Sequence, residues 1–152
     1  MKNKKSENNT SKVVIYYSLL GHNKAIAEEI AEKERCEIRE FAPGNLLRVF
    51  QFFIGKKKLA KKAKQVNMEI QYHDELIVCG PIWARKPAPA MQKLLENLDL
   101  KEKTVSCNFT YTQDYGDTEE RVRTMIQEKS GIVKEITFKI VSESRAQDNE
   151  KN

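Results

Sequence analysis

The stretch Lys12 to Glu32 reads KVVIYYSLLGHNKAIAEEIAE, and three patterns meet in it. Val13 to Tyr17 form an unbroken run of β-branched and aromatic residues, the mark of a strand buried on both faces. Ser18-Leu19-Leu20-Gly21-His22-Asn23 follow as a tight loop. Ile26, Ala27, Ile30 and Ala31 then recur at helical spacing. A buried strand, a short loop and a helix start in direct succession aim unpaired backbone N–H groups and the positive helix end at one point. That arrangement suits a phosphate. The Ser18 hydroxyl adds a donor, and Gly21 lets the backbone approach closely.

Leu76-Ile77-Val78-Cys79-Gly80 repeats the buried-strand pattern and runs into Pro81-Ile82-Trp83-Ala84-Arg85-Lys86-Pro87. In an open parallel sheet both loops leave the carboxyl ends of strands, where ligands bind at the switch in strand order. The first loop supplies phosphate donors. The second supplies a rigid proline and the chain's only tryptophan, Trp83. An exposed Trp there stacks on a flat ring; the alternative is a hydrophobic plug beneath the loop.

The rest of the chain alternates in the same way. Strands are expected near 12–18, 35–41, 75–80, 103–110 and 132–141, and helices near 22–34, 45–63, 88–98 and 117–129. Leu46, Leu47, Val49, Phe50, Phe53 and Ile54 give the second helix an apolar stripe. Pro87 and Pro89 precede the third helix, where the first turn tolerates proline. Asp117 or Thr118 can cap the fourth, with Glu120 close behind. Such alternation predicts an α/β fold with a parallel sheet and right-handed crossovers. At 152 residues one domain with one core is expected over 12–141. The polar ends, 1–11 and 142–152, read as disordered tails.

Met1 to Thr10 is polar and lysine-rich, without the apolar core of a signal peptide, and no apolar run is long enough to span a bilayer. Cys36, Cys79 and Cys107 are odd in number and far apart, so they read as reduced thiols of a cytoplasmic protein. His22 and His73 have no metal-ligand spacing with any cysteine, so no metal site is expected.

With both loops in view, the chain resembles the flavodoxin family over roughly residues 12 to 140. Ser18 to Asn23 lie where that family has its hydroxyl-rich phosphate loop. Gly80-Pro81-Ile82-Trp83 lie where it has a Gly-x-Pro-Thr-Trp-like loop against the flavin ring. Asn108 to Asp117, NFTYTQDYGD, fall on the third loop, which borders the ring from the other side. The resemblance implies an open five-stranded parallel sheet of order 2-1-3-4-5, helices on both faces, noncovalent FMN and electron transfer. It assigns the phosphate to Ser18, Leu19, Leu20, Gly21, His22 and Asn23, and the ring to Pro81, Ile82, Trp83 and Ala84. The far wall falls to Thr110, Tyr111, Tyr115, Gly116 and Asp117.

Two departures stand out. Leu20, His22 and Asn23 replace residues that usually bring hydroxyls or a small amide, which leaves a modified phosphate site resting mostly on backbone N–H groups. The chain also carries 27 basic and 22 acidic residues, a formal charge of +5, whereas the family's electron carriers are usually acidic. Lys56, Lys57, Lys58, Lys61, Lys62 and Lys64 concentrate that charge. They read as the solvated side of a helix, or as a docking face for an acidic redox partner or a membrane quinone pool. No nucleic-acid motif accompanies them.

An FMN electron carrier is the reading favoured here. The alternatives are an FMN-dependent oxidoreductase passing electrons from a nicotinamide to a quinone-like acceptor, and a flavin-free scaffold. For turnover no residue is an evident catalytic acid or base; Tyr111, Asp114 and Tyr115 are candidates. A receiver-type signalling domain is excluded, because the first strand ends in Tyr16-Tyr17-Ser18 and lacks an acidic cluster for Mg²⁺.

The last two strands carry a further expectation. Val105, Cys107 and Phe109 alternate with Thr104, Ser106 and Asn108, and Ile136, Phe138 and Ile140 alternate with Thr137 and Lys139. Alternation marks a strand with one face uncovered. The tail from Ser142 to Asn152 has no apolar stripe, so the final helix that a flavodoxin would pack there is expected to be missing. A second copy is expected to cover that face in a two-fold homodimer.

Overall fold

Val13 to Tyr16 and Leu76 to Cys79 are buried on both faces, which puts their strands at the centre of the sheet. The computed structural model describes residues 11–42 and 56–142. Its elements are β1 (Lys12–Tyr16), α1 (His22–Glu34), β2 (Glu37–Glu40), α2 (Lys56–Ile70), β3 (Glu75–Trp83), β4 (Lys86–Pro87), α3 (Pro89–Asn97), β5 (Thr104–Tyr111), α4 (Thr118–Glu128) and β6 (Ile132–Ile140). The long strands pair in parallel in the order β2-β1-β3-β5-β6. Counting those five alone, this is the expected 2-1-3-4-5. The addition is β4, a two-residue strand antiparallel to the end of β3.

Among the described residues, three helices pack on one face of the sheet and one on the other. Ile15, Tyr17, Leu76, Val78, Cys107 and Phe109 form the larger core with Leu59, Ala63, Val66 and Ile70 of α2, Met91, Leu94 and Leu95 of α3, and Val122 and Ile126 of α4. The smaller core joins Val14, Tyr16, Ile77 and Cys79 to Ala27 and Ala31 of α1. Burial pushes the Cys79 and Cys107 thiols up to about 12, so both stay protonated and inert. Among the described residues no helix is long and apolar enough to cross a membrane.

Several boundaries move for physical reasons. The apolar stripe from Leu46 to Ile54 lies outside the described residues, and the helix that is described runs on past 63 to Ile70. Leu59, Ala63, Val66 and Ile70 are its buried stripe, at helical spacing. β3 does not stop at 80 but runs to Trp83, because Ile82 and Trp83 pair with Pro87 and Lys86. The Ser11 carbonyl accepts from the N–H groups of Asp74 and Glu75, so Ser11 belongs to the sheet's end. Neither proposed cap of α4 acts through its side chain: Asp117 makes no capping bond, and the Thr118 hydroxyl donates to the Arg85 carbonyl at 3.3 Å.

Among the described residues no helix follows β6. No β6 residue is fully buried; Val133, Ile136 and Phe138 pack partly on the core, while Glu135, Thr137 and Lys139 are exposed. On that open face Thr137 donates to Asn108 Oδ1 at 2.7 Å, and Lys134 pairs with Glu75 at 3.0 Å. Ser106 departs from the alternation, since it is buried although its strand neighbours on that face are polar.

Gly80 marks where β3 meets α3 most closely. A Cβ there would overlap the Met91 thioether. Gly80→Ala should therefore cost about 1–3 kcal/mol by overpacking, and Met91→Ala in the same chain should return part of it. Urea denaturation of the three variants measures both.

Candidate functional site

Three chain segments leave the carboxyl ends of β1, β3 and β5 side by side and enclose a cavity of about 450 Å³. Ser18, Leu19, Leu20, His22 and Asn23 line its first side. Gly21 sits at the N-cap of α1 with φ 96°, a left-handed conformation that favours glycine. Its N–H donates to Ser18 Oγ at 3.0 Å. One backbone donor expected to face an anion is thus turned inward, with Ser18 as its acceptor. Helix geometry still leaves the first-turn N–H groups of Asn23 and Lys24 without intrahelical acceptors, and no acid occupies that turn.

Asn23 is the most informative residue of this wall. It is only 3% exposed, and its Nδ2 donates to Thr110 Oγ1 at 2.8 Å. Thr110 is itself 2% exposed at the end of β5. The Asn23 Oδ1 is buried and has no partner. An unmet buried acceptor costs about 1–3 kcal/mol, so the site holds unspent polar capacity. If the amide turns over, Oδ1 accepts the Thr110 hydroxyl and Nδ2 faces the cavity as a donor. Either a hydroxyl or an anion can therefore be met there.

The second side is a hairpin where the sequence predicted an open loop. Pro81, Ile82 and Trp83 are strand residues, and the turn is Ala84-Arg85, with φ 53° and 69°. Two successive left-handed residues match a type I′ hairpin turn, which usually takes Asn-Gly. With Ala and Arg it costs about 1–2 kcal/mol per residue. The surroundings hold it in place. Arg85 Nε pairs with Asp114 at 2.9 Å, and the Arg85 carbonyl receives Thr118. Gly116 packs so closely that a Cβ would fall 2.9 Å from that carbonyl oxygen. The Gly116 N–H and the Arg85 charge hold the Asp114 carboxyl below its ordinary range, so the clasp is fully present above that range and is lost only as pH falls through the lowered value. Trp83 is half-buried, set edge-on to Tyr17 with ring centroids 6.1 Å apart, and it lines the cavity.

Thr110 and Tyr111 form the third side. Tyr115, Gly116 and Asp117, grouped with them from the sequence, do not line the cavity. Tyr115 instead buttresses Tyr111 (centroids 5.0 Å apart) and Phe138 (3.8 Å). Gly116 seats the Arg85 turn, and Asp117 faces Arg121 at 3.7 Å. The cavity also includes Thr112, Val141 and Ser142. Val141 arrives because its N–H bonds to the Tyr111 carbonyl at 2.8 Å. Among the described residues no group of His, Cys, Asp and Glu could hold a metal ion.

The sequence matches no family model and no curated protein. Solved structures share the architecture at low identity. A candidate flavoprotein from Bacteroides eggerthii is 17% identical, with a TM-score of 0.64 over 94% of this chain and 95% of that one. A flavoprotein from Lactobacillus acidophilus in complex with FMN is 15% identical, at TM-score 0.58 over 85% and 93%. A Fusobacterium nucleatum flavodoxin bound to flavin mononucleotide is 17% identical, at TM-score 0.54 over 81% and 68%. The fold is flavodoxin-like.

The buried pair should show itself in stability. Thr110→Val leaves both polar ends of the Asn23 amide unmet and should cost about 1–3 kcal/mol. Asn23→Leu combined with Thr110→Val should cost less than the two single changes added together. Thermal or urea unfolding of the four proteins in this cycle gives the coupling.

Proposed function

We propose that the protein binds FMN in this cavity and transfers electrons to or from a partner protein. The observation that carries the proposal is the convergence of a helix N-terminus, the orphaned Asn23 Oδ1 and two aromatic side chains on one cavity. Its volume lies within the usual range for small-molecule sites. The flavodoxin-like fold and the FMN-bound relatives support the same choice.

Bound FMN supplies one- and two-electron transfer through its ring. The chain's task is to bind and orient it. The Asn23 and Lys24 N–H groups, the turned Asn23 amide and the α1 dipole favour the phosphate. Trp83 and Tyr111 offer flat apolar surface to the ring. The strained Ala84-Arg85 turn, fixed through Asp114 and Thr118, holds Trp83 in position.

The described cavity wall contains only two titratable side chains, His22 and Tyr111. Asp114 is committed to Arg85, and Tyr115 is packed behind Tyr111. That scarcity favours a carrier over an enzyme that must deliver protons to an acceptor. Nicotinamide-driven quinone reduction by the loaded protein is the assay for the enzyme reading. An unchanged flavin spectrum on mixing would leave the scaffold reading.

FMN titration should quench Trp83 fluorescence strongly, and Trp83→Ala should weaken binding by about 1–3 kcal/mol, as for aromatic stacking on a flat base. Fluorescence that stays constant at saturation excludes the stack. Riboflavin should bind far more weakly than FMN, and Leu20→Thr should tighten FMN by about 0.5–1.5 kcal/mol. Equal affinity for the two flavins moves the phosphate elsewhere.

Charge around the cavity should tune the redox poise. Lys24 and Lys86 are exposed, whereas Arg85 is offset by Asp114. A basic rim stabilises added negative charge, so the second one-electron step should be less negative than in acidic flavodoxins. The scale is about 59 mV per 1.4 kcal/mol, and salt should shrink the difference. Spectroelectrochemical titration at low and high salt reads it, and a salt-independent potential as low as theirs would contradict it.

A further inference from the structure

Helix α2 breaks two rules that govern stable surface helices. Positive charge belongs near a helix C-terminus and negative charge near its N-terminus. α2 does the reverse, with no acid in its first turn and no base in its last. Lys57 and Lys58 sit at its start, and Glu69 lies near its end. Its lysines also crowd one another: Lys57 and Lys61, and Lys58 and Lys62, are four residues apart, a like-charge spacing that destabilises a helix.

Two other helices pair some of their surface charges. Lys93 pairs with Glu96 on α3, and Arg123 with Glu119 on α4. On α2, Lys57, Lys58, Lys61, Lys62 and Lys64 are all exposed, and among the described residues none is ion-paired or hydrogen-bonded. The one acid of the helix, Glu69, is taken by Arg39 of β2 at 3.6 Å. Packing explains Leu59, Ala63, Val66 and Ile70. It does not explain five unpaired charges of one sign on the opposite side.

Position gives the ridge a use. α2 ends at Ile70 and β3 begins at Glu75, so the helix's end lies at the amino end of the sheet. Fifteen residues at about 1.5 Å each then carry its lysine-rich start back toward the carboxyl end, where the cavity opens.

We propose that the Lys57–Lys64 ridge docks the acidic surface of a partner protein beside the cavity. The partner's role in electron transfer rests on the FMN reading; the docking itself does not. A protein is favoured over a membrane because Leu59, Ala63, Val66 and Ile70 face the core, and among the described residues of α2 Met68, beyond the lysines, is the one large apolar side chain left exposed, too little to anchor the helix between lipids. It is favoured over nucleic acid because the ridge offers lysines without aromatic side chains for bases to stack on. Flexible ammonium groups suit steering and transient contact with carboxylates.

The test uses the full chain and a matched control. Lys57→Gln, Lys61→Gln and Lys64→Gln are combined in one variant. Lys33→Gln, Lys101→Gln and Lys139→Gln, at exposed positions elsewhere, make the other, with the same change in net charge. Poly-L-glutamate is the acidic probe, and phosphatidylserine vesicles and a short DNA duplex are the competing ones. The ridge variant should lose about tenfold in polyglutamate affinity at low salt and the control about twofold or less. Its melting temperature should rise as like-charge repulsion is relieved. Equal losses in both variants would overturn the proposal. So would a lowered melting temperature, or vesicle or duplex binding that depends on the ridge more than polyglutamate binding does. If FMN fails to bind while the ridge result holds, the docking surface stands and its electron-transfer role falls.

Discussion

Burial of β1 and β3 on both faces is the constraint from which the rest of this structure follows. A central strand has no side open to water, so its residues are apolar without interruption, and polar chemistry must wait until the strand ends. Both strands release their chains at the same end of the sheet because they are parallel. The strand order reverses beside β1, so the segments diverge to opposite faces and leave a crevice between them. The cavity under Ser18, Trp83 and Thr110 is the geometric result of that packing.

Two local features tie the crevice together. One is the buried contact between Asn23 and Thr110, joining residues 87 apart in sequence. The other is the Ala84-Arg85 turn, whose left-handed backbone is held by Asp114, Gly116 and Thr118. Strain of this kind persists only where surrounding contacts over-determine it, and it gathers at sites that must hold a shape. Here it fixes the one tryptophan at the mouth of the cavity. The same region accounts for Tyr115, which acts behind Tyr111 in a run of packed rings that includes Phe138 and Phe109.

Among the described residues, one face of the sheet beyond α1 has no helix on it. Ile77 and Cys79 are covered by α1. Farther along, Asn108, Thr137, Glu75 and Lys134 satisfy one another across the strands. A face whose polar groups are paired or wet carries little penalty in water, unlike an apolar one. Edge strand β6 is also interrupted by a register shift and carries Lys134 and Lys139, devices that discourage edge-to-edge pairing.

By itself the sequence determined the alternating elements, the parallel sheet, the half-covered last strands and the loops that meet at the cavity. Those features depend on local periodicity: unbroken apolar runs in β1 and β3, alternation in β5 and β6, and helical spacing in α1. Its limits appear where a residue's role is set by a distant neighbour. Nothing near Thr118 in sequence says that its hydroxyl belongs to the Arg85 carbonyl, nor that Asn23 spends half its amide on Thr110. The hairpin at Ala84-Arg85 was illegible because its turn residues oppose the usual preference and are held from outside. Tyr115, Gly116 and Asp117 share a loop with Tyr111, yet Tyr115 and Gly116 pack behind the wall and Asp117 turns to Arg121, since only packing decides which side of a loop faces the cavity. Val141 and Ser142 reach it through strand register, a property of the assembled sheet that no local pattern encodes.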